Sequence, residues 1–357
     1  MDETSQWTVW IDGKPCSAHS GETVLTVARR VGIEIPTLCH DDRLVPAGAC
    51  RSCLVEVEGQ RRLQPACAWQ VTPDMKITTS NARVQRHRRV LFSLYAADLP
   101  CDESGTPLET PNGNQLHQLC QTVPVLQLQP IQSPRAGRED ANPYIQFDPS
   151  LCILCARCTR YCDEVEAVSA ISLTHRGGHT TIGTAGNRSL LDTSCELCGG
   201  CIDTCPTGAM HEKKAANVSV KDTESIRTTC NFCGVGCQLN LHVQDNQVVK
   251  VSSPPVGETV NDGNLCVKGR FAYDFIHHED RITEPLIRRE DGLLHPATWE
   301  EALDTAAQGL LSVRNRYGAD ALGFISSSRC TVEENYLVQK MARAAMRTNN
   351  VHQCAAT

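Results

Sequence analysis

Residues 152–162 read CILCARCTRYC and residues 195–206 read CELCGGCIDTCP. Both place cysteine as C-x2-C-x2-C-x3-C, and the second run adds Pro206. A zinc ion takes its ligands from short two-cysteine knuckles and does not need three cysteines at this spacing. Two such runs instead match a pair of [4Fe–4S] clusters in which the fourth cysteine of each run ligates the other cluster. The expected ligand sets are therefore Cys152, Cys155, Cys158 and Cys205 for one cluster, and Cys195, Cys198, Cys201 and Cys162 for the other. Between the runs, residues 171–190 carry β-branched residues and glycines. They predict a hairpin, with His175 and His179 as surface residues rather than ligands.

Two further groups of cysteines flank this centre. Upstream, WTVWIDGKPCSAHS predicts a β-hairpin turning at Asp12-Gly13. GETVLTVARRVG then places Val24, Leu25, Ala28 and Val31 at helical spacing. Cys39, Cys50, Cys53 and Cys67 follow in CHDDRLVPAGACRSC and PACAW. Hairpin, helix and cysteine-bearing loop come in the order of a β-grasp ferredoxin. Ala47, Gly48 and Ala49 suit backbone wrapped closely around inorganic sulfide. Four thiolates there fit a [2Fe–2S] cluster, and a zinc site is the alternative. Downstream, CNFCGVGC and NLCVKGR give Cys230, Cys233, Cys237 and Cys266 as C-x2-C-x3-C-x28-C. Gly234 and Gly236 would let this loop close tightly on a [4Fe–4S] cube, although spacing alone leaves zinc open. Of the 21 cysteines, Cys16, Cys101, Cys120, Cys330 and Cys354 remain, and Cys16 is expected as a small buried side chain.

The rest of the composition excludes several classes. A net charge of -7 over 357 residues leaves no basic footprint for nucleic acid. No window is apolar enough to span a membrane. MDETSQWTVW lacks the basic and apolar regions of a signal peptide, and the expectation is a cytoplasmic protein. After residue 284 the texture changes. Thr298-x-x-Glu301 and Thr331-x-x-Glu334 predict capping boxes. The first opens a helix with Trp299, Leu303, Ala307, Leu310 and Leu311 facing inward and Gly318 as its stop. ALGFISS predicts a buried strand, and the second box opens a helix to about Met346. Strand and helix alternate as at the start of a doubly wound α/β domain.

The order of the groups resembles three families: the large peripheral subunit of respiratory complex I, the iron-only hydrogenases, and the catalytic subunit of NAD-linked formate dehydrogenases. CNFCGVGCQLNLHV, PPVGETVNDGNLCVKGRFAYDFIHHEDRITEPLIR and PATWEEAL resemble the start of a molybdenum or tungsten bis-pterin oxidoreductase, closest to formate dehydrogenase. That resemblance implies that Cys230, Cys233, Cys237 and Cys266 hold the cluster nearest the metal. It also implies that Lys268 lies between this cluster and a pterin, as an electron-relay residue. The implied cofactors are one [2Fe–2S], three [4Fe–4S] and, in the full-length chain, a Mo- or W-bis-pterin guanine dinucleotide. The implied partners are flavin- and NAD-binding diaphorase subunits.

The sequence departs from the family between its first two modules. That family usually has a further [4Fe–4S] cluster, held by one histidine and three cysteines, whose matching place here is LYAADLPCDESGTPLETPNGNQLHQLC. Cys101 is present, but Ala97 and Ser104 stand where the family has a histidine and a cysteine; His87, His117 and Cys120 would complete a site only with unusual loop geometry, and the expectation is that this cluster is absent. Residues 101–143 predict an irregular connector.

The expected fold class is α+β multi-domain. It comprises a β-grasp [2Fe–2S] domain (1–80), a helix and connector (81–143) and a two-cluster ferredoxin domain (144–215). A [4Fe–4S] bis-pterin domain (223–283) and the start of the molybdopterin oxidoreductase α/β domain (284–357) follow. By the same resemblance, TNNVHQCAAT leads to a metal-ligand position just after Thr357, with an in-frame UGA selenocysteine codon as the expected reason for the end there. The parent chain would be a formate dehydrogenase, and residues 1–357 without that ligand would not turn over formate alone. The alternatives are a stand-alone multi-cluster electron-transfer protein and a complex I large-subunit-like protein without catalytic metal.

Overall fold

A computed structural model describes residues 6–131, 135, 137 and 139–354. It divides into two compact units, residues 1–225 and 226–357.

The first unit opens with the predicted hairpin, β1 (Gln6–Ile11) and β2 (Lys14–His19). Asp12 and Gly13 take positive φ values of 49° and 79°, the turn that matches strand twist. Helix α1 (Val24–Arg30) is capped by Thr23, which accepts from the Thr26 amide. Val31 has helical spacing but is the exposed C-terminal cap. Strands β3 (Leu54–Val57), β4 (Gln64–Pro65) and β5 (Lys76–Thr78) complete a five-stranded sheet in the order β2-β1-β5-β3-β4. β5 pairs parallel to β1 and antiparallel to β3. Val9, Ile11, Ala18, Val55, Val57 and Ile77 pack beneath Val24, Leu25, Val27 and Ala28, and Cys16 is buried among them as expected.

Helix α2 (Ala82–Ala96) follows, capped by Asn81. The connector is less irregular than its composition predicts. It contains helix α3 (Gln115–Thr122), whose first turn is capped by Asn114 and whose Leu116 and Cys120 are buried. Leu116 and Cys120, one turn apart, pack with Phe92 of α2 against Leu38, Cys39 and Cys50. A short amphipathic face thus outweighs the polar content of QLHQLCQT.

The ferredoxin-like region pairs β6 (Ile145–Phe147) with β9 (Met210–Glu212) and packs α4 (Arg157–Glu164) against α5 (Gly200–Asp203). Between them β7 (Ser172–Thr174) and β8 (Thr181–Gly183) form the expected antiparallel hairpin. His175 and His179 at its tip are exposed.

The second unit centres on a three-stranded sheet, β10 (Glu224–Thr229), β11 (Gln238–Gln244) and β12 (Gln247–Ser252). Short helix α6 (Val267–Phe271) follows Cys266. The hairpin β13 (Leu286–Arg288) and β14 (Leu294–Pro296) leads to α7 (Trp299–Tyr317), which Gly318 ends. Strand β15 (Phe324–Ser327), helix α8 (Val332–Lys340), a π-helical turn (Met341–Met346) and strand β16 (Val351–Cys354) complete a β-α-β unit, with β15 and β16 parallel.

Three expectations are corrected here. The α7 face expected inward is exposed at Trp299, Leu303, Ala307 and Leu311, with Leu310 half-buried. Ile325 of the expected buried strand is 76% exposed. Both follow from the same cause: the sheet they would cover has two strands among the described residues. Thr298 caps α7 through the Glu301 amide, but the Glu301 carboxylate pairs with Arg289 at 2.6 Å, so that box is half formed. The Thr331–Glu334 box is complete. TNNVHQC includes β16, whose parallel partner β15 precedes helix α8. The expected metal-ligand position beyond Thr357 lies outside the described residues.

Candidate iron–sulfur sites

The two central runs adopt one backbone twice. Leu154 and Ala156 in the first, and Leu197 and Gly199 in the second, have positive φ of 55°, 59°, 54° and 75°. Left-handed leucine is costly, and its recurrence at matched positions turns backbone amides towards the sulfurs. The Leu154 amide donates to Cys152 Sγ and the Leu197 amide to Cys195 Sγ, both at 3.4 Å. The Gly200 amide donates to Cys198 Sγ at 3.4 Å, the Ala170 amide to Cys162 Sγ at 3.2 Å and the Met210 amide to Cys205 Sγ at 3.4 Å.

The runs also cross. Cys162 lines a cavity of about 40 Å³ with Cys195, Cys198 and Cys201, closed by Ile145 and Met210. Cys205 stands among Cys152, Cys155 and Cys158 closely enough that its charge bears on each of them. Burial pushes the Cys152 thiol up to about 11 and Cys155 up to about 12, and burial, with the charges of its neighbours, also holds Cys158 well above the usual thiol range. A thiol this costly to ionise in an apolar pocket becomes a thiolate when iron replaces its proton.

Cys39, Cys50, Cys53 and Cys67 are each at most 4% exposed. They form two couples. The Cys39 amide donates to Cys50 Sγ and the Cys50 amide to Cys39 Sγ, both at 3.4 Å. Cys53 and Cys67 are hydrogen-bonded to each other. In each couple the partner's hydrogen bond holds one thiol down, Cys50 and Cys67, and raises the other, Cys39 and Cys53. Two couples could serve two irons. Gly48, at φ +59°, brings bare backbone past Pro65 beside them.

In the second unit, the Cys230 amide donates to the Cys237 carbonyl at 2.7 Å. Both residues pack on Leu239, Val251, Leu265 and Tyr273. Burial raises their thiols first, and the neighbouring charges of Cys233 and Cys266 add to it. A Cβ on Gly269 would lie 3.6 Å from Cys230 Sγ, so α6 presents bare backbone to that sulfur. Gly236 takes the left-handed φ of +73° that closes the loop; Gly234 does not. Lys268 is exposed on α6, two residues from Cys266. Among the described residues no three His, Cys, Asp or Glu side chains close to the spacing of a single ion.

In the degenerate region Cys101 lies close enough to Cys120 for its charge to bear on that thiol. His87 Nε2 meets the Arg51 carbonyl at 3.1 Å, and His117 Nδ1 the Pro107 carbonyl at 2.7 Å. The Cys101 thiol donates to the Ala96 carbonyl at 3.1 Å, and Cys120 is buried with its thiol pushed up to about 12. Ser104 Oγ donates to Asp102 at 2.6 Å, closing a small loop where a cysteine was expected.

Sequence reasoning missed the supports of these sites. Asp41 binds Arg43, Arg157 and Thr204 at 2.9, 3.2 and 2.8 Å. Ser52 Oγ lies 3.0 Å from Cys50 Sγ, and Tyr95 donates to the Cys50 carbonyl at 3.3 Å. Their one visible signal was position: Ser52 and Arg157 lie inside cysteine runs.

Comparison with known proteins matches four segments of the chain to families. Residues 5–82 match the 2Fe-2S iron-sulfur cluster binding domain family. Residues 142–211 match the ferredoxin-like domain of NADH-quinone oxidoreductase subunit 3. Residues 223–278 match the molybdopterin oxidoreductase Fe4S4 domain, and residues 281–357 match molybdopterin oxidoreductase. The NADPH-Fe(3+) oxidoreductase subunit alpha of Geobacter sulfurreducens is 35% identical over 96% of this chain. An NADH-quinone oxidoreductase subunit of Rhizobium meliloti is 36% identical over 96%. A Staphylococcus haemolyticus protein named "Putative formate dehydrogenase" is 29% identical over 97%. The chain spans 39% of the length of each of these relatives. The crystal structure of an NAD+-reducing [NiFe]-hydrogenase in the H2-reduced state superposes with a TM-score of 0.52 at 28% identity, covering 60% of this chain and 90% of that one. These matches place the chain among the molybdopterin oxidoreductases with iron–sulfur domains, homologous to a subunit of NADH-quinone oxidoreductase and to proteins named as formate dehydrogenases.

Proposed function

We propose that the chain is the iron–sulfur relay of an NAD-linked formate dehydrogenase, joining a Mo- or W-bis-pterin centre to flavin- and NAD-binding partner subunits. The observation that carries the relay is the crossing of the two runs, Cys205 with the first and Cys162 with the second. On this reading Cys39, Cys50, Cys53 and Cys67 hold a [2Fe–2S] cluster. Cys152, Cys155, Cys158 and Cys205 hold one [4Fe–4S], Cys195, Cys198, Cys201 and Cys162 a second, and Cys230, Cys233, Cys237 and Cys266 a third. Bound there, the clusters supply one-electron transfer. The chain's residues exclude water and aim backbone amides at the sulfurs. Lys268 is the relay cation beside the third [4Fe–4S] site.

Formate as the electron donor rests on the sequence resemblance and on the more distant of the compared relatives. A second reading has its own support: the relatives at 35% and 36% identity are named for NADPH–Fe(III) and NADH–quinone reactions. In that case the same clusters would serve NAD(P)H oxidation. The two readings separate in one experiment. The full-length protein is purified anaerobically, and cluster reduction is followed by visible and EPR spectroscopy after adding formate or NAD(P)H. Reduction by formate supports the dehydrogenase. Reduction by NAD(P)H with none by formate removes the substrate assignment and leaves the relay.

A further inference from the structure

Ser52 is fully buried between Cys50 and Cys53. The residue before it, Arg51, has φ +60°, and the chain turns back so that Ser52 Oγ lies 3.0 Å from Cys50 Sγ. Between a thiol and a hydroxyl either group can donate. A ligating thiolate has no proton, so the hydroxyl must then donate to it. The two cysteine couples are also unequally placed. Cys53 and Cys67 belong to the core of the β-grasp sheet. Cys39 and Cys50 belong to the apolar cluster that contains Tyr95, Ile153 and Cys155, and therefore face a proposed four-iron site.

We infer that Ser52 raises the reduction potential of the [2Fe–2S] site by donating a hydrogen bond to the Cys50 thiolate, which favours the added electron on the iron held by Cys39 and Cys50. This rests on the ligand assignment proposed above. Reduction adds one negative charge to the site. A donor aimed at one sulfur stabilises the reduced form more than the oxidised form, and hydrogen bonds to sulfur are among the determinants of cluster potential. The amides of Cys39 and Cys50 act in the same sense, but no side-chain substitution removes them. The Ser52 hydroxyl can be removed.

The test is an EPR-monitored redox titration of the full-length protein and of Ser52→Ala. The variant's [2Fe–2S] couple should fall by about tenfold in its reduction equilibrium, or 59 mV for one electron, with the four-iron signals unmoved. Ser52→Thr, which keeps the hydroxyl, should titrate as the wild type does. An unchanged midpoint in Ser52→Ala with the signal intact overturns the inference. If Ser52→Ala assembles no [2Fe–2S] cluster, Ser52→Gly removes the same hydroxyl. Loss of the cluster in both would make the hydroxyl an assembly requirement and also overturn it. A wild-type protein without any [2Fe–2S] signal would instead remove the ligand assignment.

Discussion

Asp41 and Arg157, 116 residues apart in sequence, meet at 3.2 Å with side-chain exposures of 6% and 9%. The same carboxylate binds Arg43 at 2.9 Å and the Thr204 hydroxyl at 2.8 Å. Asp41 follows the first cysteine of one group, Arg157 lies between Cys155 and Cys158, and Thr204 precedes Cys205. One buried anion thus ties the loop of the proposed [2Fe–2S] site to both central runs. Neutralising one member of a buried ion cluster costs about 3–5 kcal/mol, because the remaining charges stay desolvated. Asp41→Asn should therefore raise amide exchange around residues 38–44 and 155–160 by at least about a hundredfold. Exchange as slow as in the wild type would show that the carboxylate is not needed there.

The crossing of the runs predicts that two similar substitutions have separate effects. Cys205→Ser should abolish the EPR signal of the site formed by Cys152, Cys155 and Cys158. Cys162→Ser should abolish that of Cys195, Cys198 and Cys201. Each variant should lose about four irons per chain by colorimetric assay. If each substitution instead removed the cluster of its own run, the crossed assignment would be wrong.

What was legible beforehand was local. The C-x2-C-x2-C-x3-C runs, the Asp12-Gly13 turn, Gly318 and the Thr331 box each declare themselves within a few residues. The misses depended on distant partners. Helix α3 needed Phe92 and Leu38 to bury Leu116. Strand β16 needed β15. The apolar stripe of α7 was read correctly as a pattern and wrongly as a buried face, because patterning shows which side would be covered and not what covers it. Ser52 and Asp41 were passed over because serine and aspartate beside cysteine carry no signal until their side chains are placed.

Gly200 offers a steric test of the second central run. A Cβ there would lie 2.0 Å from Tyr161 Cε1 and 2.3 Å from Cζ. Tyr161 is 1% exposed, with its hydroxyl 3.1 Å from Glu166, so the ring has little room to retreat. Overpacking of this kind costs about 1–3 kcal/mol. Gly200→Ala should loosen the Cys195–Cys201 loop and lower cluster occupancy there, read as iron content and EPR signal. Gly177→Ala is the comparison: nothing lies within 4 Å of its Cβ, and its φ of +60° carries only the ordinary cost of a left-handed alanine. Equal losses in the two variants would rule out the Tyr161 contact as the cause.

The pH dependence of the segment between the two central runs, residues 171–190, should follow Asp140. Its carboxylate accepts from the Asn142 amide and side chain at 2.9 Å, from the Ser189 hydroxyl at 2.8 Å and from the Leu190 amide at 3.0 Å. Burial alone would raise its pKa, but these donors outweigh it and hold the group well below the usual carboxylate range. A carboxylate depressed in the folded state binds its proton more readily when unfolded. Its stabilisation is therefore complete above the unfolded value of about 4 and is lost as pH falls from there towards the folded value. Asp140→Ala should remove about 1–3 kcal/mol at neutral pH by stranding these donors, and the difference from wild type should shrink below about pH 4. Amide exchange at Leu190, measured at pH 7 and pH 3, reads this directly. A difference between variant and wild type that stayed constant down to pH 3 would assign the stabilisation to something other than the ionised carboxylate.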